Sequence, residues 1–198
     1  MSIKRQAGLT LVELVLFIVI VGVGLAGILS TMNITTRASA DPLRRKQAML
    51  IAEGLLEEVE LARFTYCDAT DANAESAAST AACATLVENV GREAGETRPF
   101  DNVNDYVTAY DVEQGAFNAN GVLVDAAGVA IQPLGYAATL KVSATNTIGP
   151  AGSTIVSTTA PATTEILKLT VKVTYGTGAS DFVTIDGYRF RFAPNSTP

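Results

Sequence analysis

Hydrophobic and polar positions divide the chain into three patterned stretches separated by two polar ones. Residues 9–29 are almost continuously apolar, with Thr10 and Glu13 as the strongly polar exceptions. At about 1.5 Å per residue, a helix of that length spans the roughly 30 Å hydrocarbon core of a bilayer. From Leu43 the apolar residues recur at three to five positions, through Ala48, Ile51, Leu55, Val59 and Ala62, which predicts a helical stripe ending near Phe64. Asp41-Pro42 supplies an N-cap and a first-turn proline for it, so the pattern predicts one long helix that bends or restarts near Asp41.

The last third alternates with period two. Residues 136–144 and 166–175 read as strands, with Leu167, Leu169, Val171 and Val173 on one face of the second and Lys168, Thr170, Lys172 and Thr174 on the other. Over 182–192 the parity changes: Val183 and Ile185 are odd, whereas Tyr188, Phe190 and Phe192 are even. A β-bulge at Asp186-Gly187 would place both sets on one face. Residues 176–181 make a hairpin connection, 121–130 a shorter hairpin, and the Thr-, Ser- and Ala-rich run 146–164 a long exposed loop. The expected class is α+β, with a long N-terminal helix packed on a C-terminal antiparallel sheet.

Composition narrows the function. The chain has no histidine, which removes the commonest general base, most zinc sites and the Ser-His and Cys-His nucleophile arrangements. No phosphate-cradling glycine motif ending in Gly-Lys-Ser/Thr occurs, and no two acids pair convincingly for acid/base work. No catalytic residue, cofactor site or metal site is therefore expected. With 14 basic against 20 acidic side chains, nucleic acid is not an expected partner either. The passage from Arg98 to Tyr106 carries four calcium-capable side chains, Asp101, Asn102, Asn104 and Asp105. It lacks the ligand order of an EF-hand, and Asx turns account for it more simply.

Cys67 and Cys83 lie 16 positions apart, unlike a metal knuckle or a redox Cys-x-x-Cys pair. In an exported domain they read as a disulfide, which closes a loop of small polar residues and stabilises by about 3 kcal/mol; two reduced buried thiols are the alternative. On the second helical half, Arg44, Arg45 and Lys46 precede Glu53, Glu57, Glu58 and Glu60. That order opposes the helix dipole and suits contacts between staggered copies, or simply a solvated face.

The N-terminal join is the most specific motif. A basic tail, Lys4-Arg5-Gln6-Ala7-Gly8, meets Leu9-Thr10-Leu11-Val12-Glu13-Leu14, and an acid one turn into an apolar helix needs either the headgroup region or a cationic partner. This run resembles the class III signal of type IV prepilins and type II secretion pseudopilins. The resemblance implies cleavage by prepilin peptidase between Gly8 and Leu9, N-methylation of Leu9, and an assembly role for Glu13 opposite the N-terminal amine of an adjacent subunit. Leu9 stands where phenylalanine is usual. Gly22, Gly24 and Gly27 are explained either by close helix packing in lipid or by the partial helix unwinding that pilins show in filaments. A competing small-x-small site, Ala38-Ser39-Ala40 before Asp41, would instead release a soluble chain.

The implied organisation is a leader (1–8), a transmembrane helical half (9–29), a periplasmic amphipathic half (30–65), a disulfide-tied loop region (66–100) and a β-sheet domain (101–198). More narrowly, 48–59 and Phe100-Asp101-Asn102-Val103 with Asp105-Tyr106 resemble minor pilins of the mannose-sensitive haemagglutinin (MSHA) pilus. The implied function is that of a non-enzymatic priming or tip subunit, whose partners are the peptidase, the inner membrane and the N-terminal helices of other pilins. It would sit in the inner membrane with a periplasmic domain and later in an extracellular pilus that supports attachment. The implied alternatives are a minor pseudopilin of type II secretion and a tethered binding domain that never polymerises.

Overall fold

The computed structural model describes residues 10–191. It is an α+β chain in which one helix, α1 (Leu11–Leu61), precedes all the strands: β1 (Asn118–Ala119), β2 (Val122–Leu123), β3 (Ala137–Ala144), β4 (Thr147–Ile148), β5 (Ile155–Val156), β6 (Ile166–Thr174) and β7 (Phe182–Phe190). An apolar N-terminal helix followed by antiparallel sheet is the expected α+β class and is consistent with the type IV pilin fold. Contacts divide the chain into two compact units, Met1–Arg44 and Arg45–Pro198.

The helix does not restart at Asp41-Pro42, because Pro42 lies inside α1. Proline removes one backbone donor and crowds the preceding turn, yet its φ is helical, so the helix continues through it at the loss of one bond.

In the second unit the principal sheet has the order β3-β6-β7, antiparallel throughout. The period-two pattern dictates its inner face. Ala138, Leu140 and Val142 of β3 join Leu167, Leu169, Val171 and Val173 of β6, all buried, in one core with Ala48, Ala52, Leu55, Val59 and Ala62 of α1. Alanines on the helical stripe let the helix approach closely, while the β-branched and leucine side chains of the sheet fill the space between. Phe117, Tyr106 and Val103 complete this core from the intervening loops.

The bulge expected at Asp186-Gly187 is absent, and the register is unbroken from Ile166↔Phe190 to Thr174↔Phe182. Val183 and Gly187 therefore face the core, and Phe182, Tyr188 and Phe190 face outward, each about two-fifths exposed. Gly187 has a different purpose. A Cβ there would collide with the Glu60 carboxylate and stand 3.0 Å from Leu56 Cδ1, so the glycine lets α1 lie close over the edge strand.

The other loops refine the expected plan. β1 and β2 pair around Asn120-Gly121, both at positive φ, a turn chemistry suited to a two-residue hairpin. The expected 121–130 hairpin persists as a single bridge, Val124↔Ala130, whose turn is held by Asp125 accepting from the Ala127 and Val129 amides. The 176–181 connection forms as expected, closed by the Tyr175 amide donating to the Asp181 carbonyl at 2.9 Å. The run 146–164 is mostly exposed, but it folds back on itself through the β4–β5 pair.

Candidate functional site

The N-terminal half of α1 begins with a side-chain cap. The Glu13 amide donates to Thr10 Oγ1 at 3.3 Å and the Leu14 amide to the Thr10 carbonyl at 3.1 Å, so Thr10 starts the helix and sets Glu13 in its first turn. That placement favours a carboxylate, because the unpaired amides of the first turn carry partial positive charge. From Leu11 to Met32 the helix is long and apolar enough to cross a membrane, and none of that stretch is buried. Gly22, Gly24 and Gly27 have open space where a Cβ would sit, so nothing within the chain demands a glycine at those positions. Near the end of the span, Thr31 Oγ1 donates back to the Gly27 carbonyl at 2.6 Å, which satisfies the hydroxyl within the helix. Gly8 and Leu9 lie outside the described residues.

In the second unit the segment after α1 is built around two groups of acids. Cys67 and Cys83 are joined by a disulfide, and Asp71 organises the loop that it closes. Its carboxylate accepts from the amides of Asn73 (2.8 Å), Ala84 (3.0 Å), Thr85 (2.7 Å) and Leu86 (2.8 Å). Four amide donors hold that carboxyl well below its ordinary range. The loop therefore has a polar hub as well as a covalent tie. The sequence reading, which credited the disulfide alone, missed it.

The second group forms where three extended segments meet. A bridge Cys67↔Val87, with the Glu88 amide donating to the Tyr66 carbonyl at 3.0 Å, lays the 86–88 segment beside 66–68. The Arg63↔Asn102 bridge joins the end of α1 to the 3-10 turn Val103–Tyr106, and the Gly91 amide donates to the Asn104 carbonyl at 3.1 Å. These joins bring carboxylate oxygens of Asp68, Glu88 and Glu93 within 4.8 Å of one another, and likewise those of Glu93, Glu96 and Asp105. Glu88 is only 6% exposed and Asp105 only 4%.

Burial and mutual repulsion raise the acids of this group. Desolvation first, then the charges of Asp105 and Glu93, push Glu88 up to about 9. Desolvation, then Glu93 and Glu96, take Asp105 to about 8, and desolvation with the Glu93 carboxyl takes Glu96 to about 7. Asp101 is raised by desolvation and by Asp68 and Glu93, with Arg63 opposing.

Of the calcium-capable residues read from the sequence, the asparagines are already engaged. Asn102 caps the 3-10 turn by accepting from the Asn104 amide at 3.3 Å and donates to Thr65 Oγ1 at 3.0 Å; Asn104 Oδ1 accepts from the Tyr110 hydroxyl at 2.6 Å. Asx-type capping thus holds for Asn102, as expected. Glu88, Glu93 and Glu96 escaped the sequence reading. Their signal was the density of acids between 88 and 105, but a string of acids in a loop ordinarily signifies solvation, and their burial is a property of the fold alone.

Glu58 is likewise placed differently from its expected role. It forms a two-point ion pair with Arg98, Nε to Oε1 and Nη2 to Oε2 both at 2.6 Å, and accepts from the Tyr106 hydroxyl at 2.9 Å. Arg98 also donates to the Val124 carbonyl at 2.9 Å. Of the four glutamates on this helical half, Glu58 is thus committed within the chain, while Glu53 and Glu57 remain exposed.

The family model for the prokaryotic N-terminal methylation motif matches residues 3–29. No curated protein matches the chain, and no solved structure does. The motif, the membrane-length helix that continues it and the antiparallel sheet together support a type IV pilin or pseudopilin, and the motif points to a structural subunit. Within that class the motif implies processing by prepilin peptidase, membrane anchoring and association with other pilins.

Proposed function

We propose that the chain is a minor type IV pilin of the MSHA kind, cut between Gly8 and Leu9, N-methylated at Leu9, and incorporated into a pilus as a priming or tip subunit that supports attachment to surfaces. Its organisation would be leader, transmembrane half-helix, periplasmic half-helix, disulfide-tied loop and sheet domain, with the boundaries given above. The observation that carries this reading is the methylation motif at residues 3–29 running directly into an uncovered apolar helix with Glu13 in its Thr10-capped first turn.

Glu13 would act as the docking acid. Before assembly it lies near the helix end, where headgroups solvate it; in a filament the apolar surroundings would make an unpaired carboxylate costly, and the methylated amine of Leu9 in a neighbouring subunit would neutralise it. Exposed glycines at 22, 24 and 27 supply either close packing between helices or local unwinding.

Glu13→Ala should leave cleavage at Gly8 intact, shown by N-terminal mass analysis with and without the peptidase, while lowering recovery of the subunit in sheared pili at least tenfold. Equal recovery of mutant and wild type would remove Glu13 from the assembly role. An uncut chain that stays with the membrane after shearing would instead indicate a tethered domain.

A further inference from the structure

We propose that the acidic pocket formed by Asp68, Glu88 and Glu93, with Glu96 and Asp105 adjoining it through Glu93, binds a hard divalent cation, for which calcium is the probe. Three observations carry this assignment. First, the convergence is produced by backbone pairing of three separate segments, so the acids are held together rather than drifting in one loop.

Second, Glu88 is 94% removed from solvent by the fold and neither of its carboxylate oxygens has a hydrogen-bond partner among the described residues. Glu93 Oε2 and Asp105 Oδ1 are also unpartnered, though these two carboxyls lie close enough to share a proton. Neither Glu88 oxygen has a hydrogen-bond partner, and a buried carboxyl group left without one is costly in either protonation state. Arg191 gives it no hydrogen bond: its guanidinium feels the charge of Glu88, but donates to the Thr65 and Thr164 carbonyls and stacks on Phe64 and Tyr66, each at 4.0 Å.

Third, the donor set selects the ion. The three carboxylate oxygens of each triad lie within 4.8 Å of one another, close enough for a single ion to touch all three. The chain contains no histidine and both cysteines are in the disulfide. An all-oxygen site of this kind favours calcium, magnesium or manganese over softer metals. An ion here would tie the disulfide loop, through Asp68, to the 88–96 segment and to the 3-10 turn that carries Asp105.

The test uses the full chain in detergent micelles, stripped with EDTA, dialysed, and titrated with calcium chloride alone at pH 7.5. Calcium at ten times its dissociation constant should raise the Tm by about 4 °C and give a saturable heat in calorimetry. Glu88→Gln, which removes the ionisable carboxyl while keeping the side chain's shape, should fold as well as the wild type without calcium and lose at least nine-tenths of the shift. Glu53→Gln, on the exposed helix face, should keep it. An unchanged Tm with no heat in wild type would overturn the proposal and leave protons as the neutralising species. A shift that survives in both Glu88→Gln and Glu93→Gln would overturn it equally, by placing the ion elsewhere. Because pocket and methylation motif belong to different segments, the result is independent of the pilus-assembly reading.

Discussion

Glu58 and Arg98 show how much one buried pair can decide. Both side chains are about nine-tenths buried, and their two short bonds are joined by a tyrosine hydroxyl and a backbone carbonyl, so almost every polar atom has a partner. Removing one member leaves the other buried and charged, which costs about 3–5 kcal/mol in comparable pairs. Arg98→Ala should therefore lower the Tm of the chain in micelles far more than Arg92→Ala, an exposed change in the same segment. Near-equal melting of the two variants by circular dichroism would show that the pair contributes little. Glu58 was visible in the sequence as one of four helical acids, but nothing in its spacing separated it from Glu57. The partner lies 40 positions away, and only the folded loop brings it to the helix.

At the scale of elements, β7 and α1 illustrate a different ambiguity. A switch in apolar parity across Gly187 admits two readings, a bulge that turns all the aromatics inward or a regular strand with aromatics outside. The regular strand wins because β6 offers an unbroken ladder from Ile166 to Thr174, and because the core side of Gly187 is already filled by Leu56 and Glu60 of the helix. Gly187→Ala should change stability by no more than about 1 kcal/mol, since the ends of the Glu60 and Leu56 side chains yield and alanine is the better strand residue. Gly187→Val, which asks the helix itself to move, should destabilise by about 1–3 kcal/mol. Thermal melting of both variants checks this. Equal loss for alanine and valine would mean that a backbone contact, rather than two flexible side chains, sets the limit.

For the molecule as a whole, the six acids Asp68, Glu88, Glu93, Glu96, Asp101 and Asp105 face Arg63 and Arg191 and the Tyr110 hydroxyl across the three joined segments. Glu88, Asp105 and Glu96 bind protons more tightly folded than unfolded, with folded values of about 9, 8 and 7. The native state then holds more protons than the unfolded chain above the ordinary carboxylate range of about 4, so their contribution is fully present below it and is lost as pH rises through the folded values. In EDTA the Tm should fall steadily between pH 5.5 and 8.5, and calcium should restore more of it at the upper end, where it competes with fewer protons. A Tm that climbs over that interval in EDTA would refute the assignment of these groups. Asp71, Glu113 and Asp186, held low by donors, act in the opposite direction and destabilise only at acid pH.

The sequence by itself determined whatever depends on local order. A continuous apolar run reports a membrane-length helix, a period near 3.6 reports the buried stripe from Ala48 to Ala62, and a period of two reports the inner and outer faces of β3 and β6. The motif at residues 3–29 is also read one residue after another. Tertiary structure alone decided the features that join distant positions: the unbroken register of β7, the burial of Glu58 with Arg98, the four-amide hub at Asp71, and the meeting of Asp68, Glu88, Glu93 and Asp105. The physical reason is the same in each case. An acid has the same local pattern whether water or protein surrounds it, and its environment exists only after loops far apart in the chain have paired.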